Sequence, residues 1–103
     1  MKHLILTLAM ALILATPAIA DECVHETCSA ISSFAETVMT SRQNNVPMQA
    51  MMDITETKDE LFRSIIVDAY SQPRWSAPEN RRNAIHEFRD TWYLWCYKNI
   101  LKQ

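Results

Sequence analysis

The chain has 103 residues, no glycine, 10 Lys/Arg against 12 Asp/Glu, and a net charge of -2. This mild acidity argues against a nucleic-acid binder, which leans on clustered basic side chains facing phosphates. Without glycine, a phosphate-cradling loop and the glycine-punctuated turns of all-β folds are excluded as well, which leaves an all-helical chain.

Residues 1–20 hold 15 apolar residues and no acidic one. Met1-Lys2-His3 gives a positive start, Leu4 to Ala15 an apolar run, and Thr16-Pro17 a break. Ala18-Ile19-Ala20 then places small residues before Asp21. This is the pattern of a cleaved secretory signal covering residues 1–20, so the exported product is expected to begin at Asp21. An uncleaved anchor needs roughly 20 apolar residues, and this run breaks well short of that. The expected location is periplasmic or secreted, with no stable membrane insertion after cleavage. Residues 21–103 then form a single helical domain, too small for a second core.

Val24, Cys28, Ile31, Ala35, Val38 and Arg42 recur at steps of three and four, stacking on one side of a helix over about 22–43, with Phe34 and Met39 widening the stripe. Asn44-Asn45 ends it, because Asn tolerates the left-handed conformation found at helix C-termini. Pro47 opens a short second helix through Met48, Met51, Met52 and Ile54. Thr57-x-x-Glu60 spells a capping box before a third helix carrying Leu61, Phe62, Ile65, Ile66, Ala69 and Tyr70.

Gln72-Pro73-Arg74-Trp75 is a connector, and Ser76-Ala77-Pro78-Glu79 starts the last helix, with Ser76 as its cap. That helix is expected over about 77–100, with a stripe of Ile85, Phe88, Trp92, Trp95 and Asn99 and with Cys96 beside it. Tyr93, Leu94, Tyr97, Ile100 and Leu101 spread apolar surface onto its other sides, so it is expected to be the central helix. The expected fold is all-α: a small bundle of three long helices plus one short helix, stapled by one disulfide.

Three cysteines in an oxidising compartment raise the question of which two pair. Cys23 and Cys28 are five apart and point to different sides of a continuous helix. Cys28 lies on the apolar stripe of the first helix and Cys96 beside that of the last. Packing those faces favours Cys28 with Cys96 and leaves Cys23 as a free thiol or an intermolecular handle. Such a bond would close a loop of almost 70 residues and stabilise a thin core by roughly 4 kcal/mol.

Chemistry is sparse. Cys23-x-His25-x-x-Cys28 with Cys96 matches no standard zinc spacing, and His86-Glu87 lacks the second His of a zinc-protease helix. No nucleophile has a base at a telling distance, so neither catalysis, a metal nor a cofactor is expected. His25 and His86 read as solvent-facing helix residues. The three clustered methionines read as gap filling ahead of adaptable binding surface. Arg42 continues an apolar stripe, and Asp68, Glu87 and Asp90 are its candidate partners, although it could also line a small polar cleft. Trp92 and Trp95 read as core, whereas Tyr93 and Tyr97, four apart, and Trp75 in the connector form with Arg42 the candidate binding surface.

The string Cys28-x9-Val38-Met39-x-x-Arg42-Gln43, Val46-Pro47-Met48-x-x-Met51-Met52, Ala69-Tyr70-x-x-Pro73-Arg74 and Glu87-Phe88-x3-Trp92-x3-Cys96 resembles a family of short, signal-bearing helical proteins found in phages and prophages. The resemblance covers most of residues 21–103. It implies an accessory protein of a phage or its host, with paired cysteines at Cys28 and Cys96, and supplies no catalytic residue. Cys23 departs from the family pattern. The expected function is that of an exported accessory protein that binds or inhibits a cell-envelope protein, as in superinfection exclusion, lysis control or toxin immunity. The alternative is a small-molecule or metal-binding periplasmic module using Arg42, the methionines and the N-terminal Cys/His group.

Overall fold

The computed structural model describes residues 16–55 and 59–101. They form four α-helices, α1 (Thr16–Gln43), α2 (Met48–Thr55), α3 (Glu60–Tyr70) and α4 (Pro78–Leu101), and none of them lies in a strand. The all-α expectation holds. Of the three helices expected to be long, α3 has only 11 residues, so two long helices carry two short ones. Residues 1–15, which hold most of the expected signal, and Thr57 of the expected capping box lie outside the described residues. The expected cleavage junction falls within α1, which starts at Thr16 with Pro17 in its first turn.

The helix ends follow from local chemistry. Asn45 takes a positive φ of 67°. Around it Val46 N–H donates to Ser41 O at 2.9 Å and Asn45 N–H to Arg42 O at 3.2 Å. These are the two crossed bonds of a Schellman stop, with Asn in the place usually held by glycine. At the start of α3 the cap is Asp59, whose carboxylate accepts from Leu61 N–H at 2.9 Å. Pro78 is the first residue of α4, which puts Ala77 rather than Ser76 at the cap position, and Ala77 O accepts Arg81 N–H at 3.0 Å.

The hub is α1, which packs against all three other helices; α4 lies along α1, and the expectation of a central α4 is overturned. The cause is the width of α1's apolar surface. Cys28, Ile31, Ala35, Val38 and Met39 are all buried, enough for two neighbours, and Ala35 and Ser32 are small enough to let a helix approach closely. Cys28 meets Cys96 while α1 and α4 run in opposite senses. By contrast α3 runs in the same sense as α1, since Phe34 packs edge-on to Phe62 at 4.7 Å and Arg42 lies over Tyr70. Met51 is buried and Met48 and Met52 pack against the core, as gap filling requires.

The stripe of α4 is rotated from the expected one. Ile85, Phe88, Trp92, Cys96 and Ile100 face the core, whereas Trp95 is 42% exposed and Asn99 is exposed. Turning Cys96 fully inward carries positions 95 and 99 outward, because adjacent helical residues are about 100° apart. No described helix is long and apolar enough to cross a membrane.

Candidate functional site

The connector between α3 and α4 is held by side chains from α1 and α4. Gln43, 1% exposed at the end of α1, donates from Nε2 to Pro73 O at 2.9 Å and accepts Trp75 N–H on Oε1 at 2.9 Å. The backbone carbonyl of Trp75 accepts Arg81 Nε from α4 at 2.7 Å. One residue before Gln43, Arg42 donates from Nε and Nη2 to Gln72 O at 3.2 and 3.1 Å. Its guanidinium carbon stands 5.4 Å from the centre of the Tyr70 ring. The expected pairing of Arg42 with Asp68, Glu87 or Asp90 is therefore corrected. A backbone carbonyl and an aromatic face take the guanidinium, because the end of α3 reaches it before any carboxylate does.

Tyr70 completes this knot by donating its hydroxyl to Val46 O at 2.6 Å. Burial pushes its phenol above the ordinary value near 10, and the neighbouring Arg42 charge partly opposes that rise.

Beside the knot, a cleft of about 330 Å³ opens between α3, the connector and α4. Met39, Ala84 and Phe88 form its floor, and Asp68, Glu87 and Thr91 its polar rim. Trp75 walls it with an indole that leaves the residue 43% exposed, and the same indole borders an adjoining hollow of about 180 Å³ lined by Asn80, Asn83, Ala84 and Glu87. Asp68 is fixed by Trp92, whose Nε1–H donates to Oδ2 at 3.1 Å. A wider depression on the outer face of α3 mixes Arg63 with Glu60 and Asp68 and so sets no preference for one sign of charge.

A second feature lies farther along α4. Tyr93 and Tyr97 stack at 6.3 Å with planes 20° apart, and Leu94, 53% exposed, stands beside them. His25 from α1 braces the pair through a 2.8 Å hydrogen bond between Nδ1 and the Tyr93 hydroxyl. Both His25 and His86 are exposed. The expected surface is thus divided. Trp75 and Arg42 belong to the connector end, with Arg42 half-buried in the knot, while Tyr93 and Tyr97 lie more than four turns into α4, over 20 Å away along its axis.

Cys28 and Cys96 form the disulfide, with Sγ atoms 2.10 Å apart and both residues fully buried, and Cys23 is an exposed free thiol. The bond removes two thiolates from the Cys/His group weighed for a soft metal. Among the described residues no three His, Cys, Asp or Glu side chains are grouped to hold a metal ion.

Sequence reasoning missed Gln43 and Arg81. Gln43 follows Met39 by four and Ala35 by eight, so the helical period placed it on the buried face, but its polarity hid it. Arg81 carried no signal, because its partner is a backbone carbonyl. No family model, no curated protein and no solved structure matches this chain.

Proposed function

We propose that this chain is an exported, phage- or prophage-related accessory protein that binds or inhibits a protein of the cell envelope without catalysing a reaction. The observation that carries the reading is the Tyr93, Leu94 and Tyr97 face, a stacked aromatic pair and an exposed leucine on a helix locked to α1 by the Cys28–Cys96 bond. Rigid aromatic residues with few rotatable bonds lose little entropy on docking, which is why tyrosines concentrate in interface centres. The buried disulfide suits an oxidising compartment, and the pattern of residues 1–20 suits export to one.

The test is site-specific photocrosslinking in the periplasm, with the photoreactive residue in place of Leu94 or, as a control, of exposed Glu79. The expected result is one discrete crosslinked envelope protein from position 94 and none from position 79. Equal crosslinking from both positions, or none from either, removes the reading. Intact mass of the exported product is expected to begin at Asp21, and a product retaining residues 1–20 contradicts the export step.

A further inference from the structure

We infer that the cleft walled by Trp75 is a receptor for a guanidinium group, because an exposed tryptophan and an acidic residue, Trp75 and Glu87, line the same two adjoining hollows. This site is separate from the Tyr93–Tyr97 face and stands or falls without it.

Trp75 is exposed, yet its backbone is bolted at both ends, by Gln43 on its N–H and by Arg81 on its carbonyl. These bonds fix the backbone that carries the indole in front of the hollow, and a fixed backbone lowers the ordering cost of using that aromatic as a binding wall. The ionisable residues that line it have one sign. Asp68 and Glu87 line the cleft, and no Lys, Arg or His does. Two guanidiniums reach backbone carbonyls of cleft-lining residues, Arg81 on Trp75 O and Arg42 on Gln72 O, and both are engaged there. Glu87 makes no ion pair with a described residue, since the ion pairs of this stretch join Arg89 to Glu36 and to Asp90.

These features select the ligand. Met39 and Phe88 give an apolar floor for a short alkyl stem. A planar guanidinium stacks on an indole and offers paired N–H donors to a carboxylate at its edge, whereas a compact ammonium does only part of this. Thr91, Asn80 and Asn83 supply neutral hydrogen-bonding groups at the margin. The same head group exists on an arginine side chain of another protein and on a free small molecule, and the probes below separate the two.

The experiment is a residue-resolved NMR titration of the oxidised protein, following the Trp75 indole N–H. Three probes are added: ethylguanidinium, the neutral isostere ethylurea, and an alanine-arginine-alanine tripeptide capped at both ends. Ethylguanidinium is expected to give saturable shifts at Trp75, Ala84 and Glu87, with ethylurea at least tenfold weaker. Glu87→Gln is expected to weaken ethylguanidinium about fivefold, the size of an exposed ion pair, and Trp75→Leu about tenfold or more. Both positions are exposed, and unchanged helicity by circular dichroism checks that the variants fold. Tripeptide binding at least as tight as that of ethylguanidinium assigns the site to a partner's arginine. Exclusion of the tripeptide with ethylguanidinium retained assigns it to a free guanidinium compound. Shifts that do not saturate, equal binding of ethylurea, or variants that bind like the parent overturn the proposal.

Discussion

Gln43 shows how one side chain carries tertiary information that hydropathy alone misses. Its amide is both donor and acceptor, so it satisfies Pro73 O and Trp75 N–H together and fixes the connector, while Nε2 also donates to Met39 Sδ at 3.5 Å. Gln43→Leu keeps the volume and loses the two connector bonds together with the weak donation from Nε2 to Met39 Sδ. It is expected to lower stability by about 2 kcal/mol in denaturant unfolding, near the lower bound for two lost partners because the exposed connector recovers water. The same variant is expected to mobilise Trp75, read as a drop in the order parameter of its indole N–H. Tyr70 makes a pH prediction. Its phenol titrates above the ordinary value in the folded state, so folding favours the protonated form. The unfolded chain loses that proton first, near pH 10; the stability is therefore complete below pH 10 and is lost as pH rises through the higher folded value. Tyr70→Phe is expected to flatten this part of the alkaline limb and to cost about 1 kcal/mol at pH 7 for the bond to Val46 O. An alkaline limb of unchanged slope in Tyr70→Phe removes Tyr70 as its source.

At the scale of the helix, the stop after α1 is a local event with a tertiary consequence. Asn45 at φ 67° turns the chain so that Val46 and Pro47 lead into α2, which packs on α3, and Val46 O is thereby placed to receive Tyr70. A Cβ-bearing residue without a side-chain hydrogen bond pays about 1 kcal/mol in this conformation. Asn45→Ala is therefore expected to lower stability by about that much and Asn45→Gly to stay within about 0.5 kcal/mol of the parent. Equal losses in the two variants would mean that the Asn side chain, and not its φ, matters. This turn was legible in the sequence, because Asn-Asn before Pro47 states its requirement locally. The pairing of Cys28 with Cys96 was legible too, since each cysteine sits on or beside an apolar stripe. The rotation of α4 was not. Position 95 carries a tryptophan and position 96 a cysteine, and by size the tryptophan claims the core. A covalent link to α1 outranks that preference, so Trp95 is turned outward into an edge-on contact with Trp92 at 5.2 Å. The candidate site was legible only in fragments. Trp75 stood out as an aromatic in a polar connector, and Asn80, Ala84 and Glu87 follow one another at helical steps of four and three, but Asp68 joined them only through the packing of α3 beside α4. No spacing in the chain encodes the path of the connector that brings Trp75 to them.

Across the whole molecule, the packing is uneven, and the disulfide sits where it is thinnest. From Phe34 onward α1 packs against both α3 and α4, which Trp92 links through Asp68, and the Gln43 knot closes that end. Toward the N-terminus its cross-contacts run to α4, through His25 to Tyr93 and Cys28 to Cys96, so this stretch is a two-helix hairpin. Two helices alone bury too little apolar surface to offset the entropy of ordering them, and the exposure of Leu94, Trp95 and Tyr97 on α4 is the visible result. A covalent bond between residues 68 apart removes conformations from the unfolded chain and compensates for the missing third helix. Replacing both cysteines by alanine is expected to lower global stability by about 4 kcal/mol in denaturant unfolding, comparable to the whole net stability of a small domain. The loss has a location. Native-state hydrogen exchange is expected to accelerate first in residues 22–33 and 93–100, while amides of 38–43 and 65–70, held by α3 and the connector, keep protection up to the new global limit. Uniform acceleration along the chain would mean that the bundle is one cooperative unit and that the hairpin does not depend on the bond more than the rest. An unchanged unfolding midpoint would mean that α1 and α4 hold together by packing alone, and the tyrosine face on α4 would then owe its rigidity to something other than Cys96.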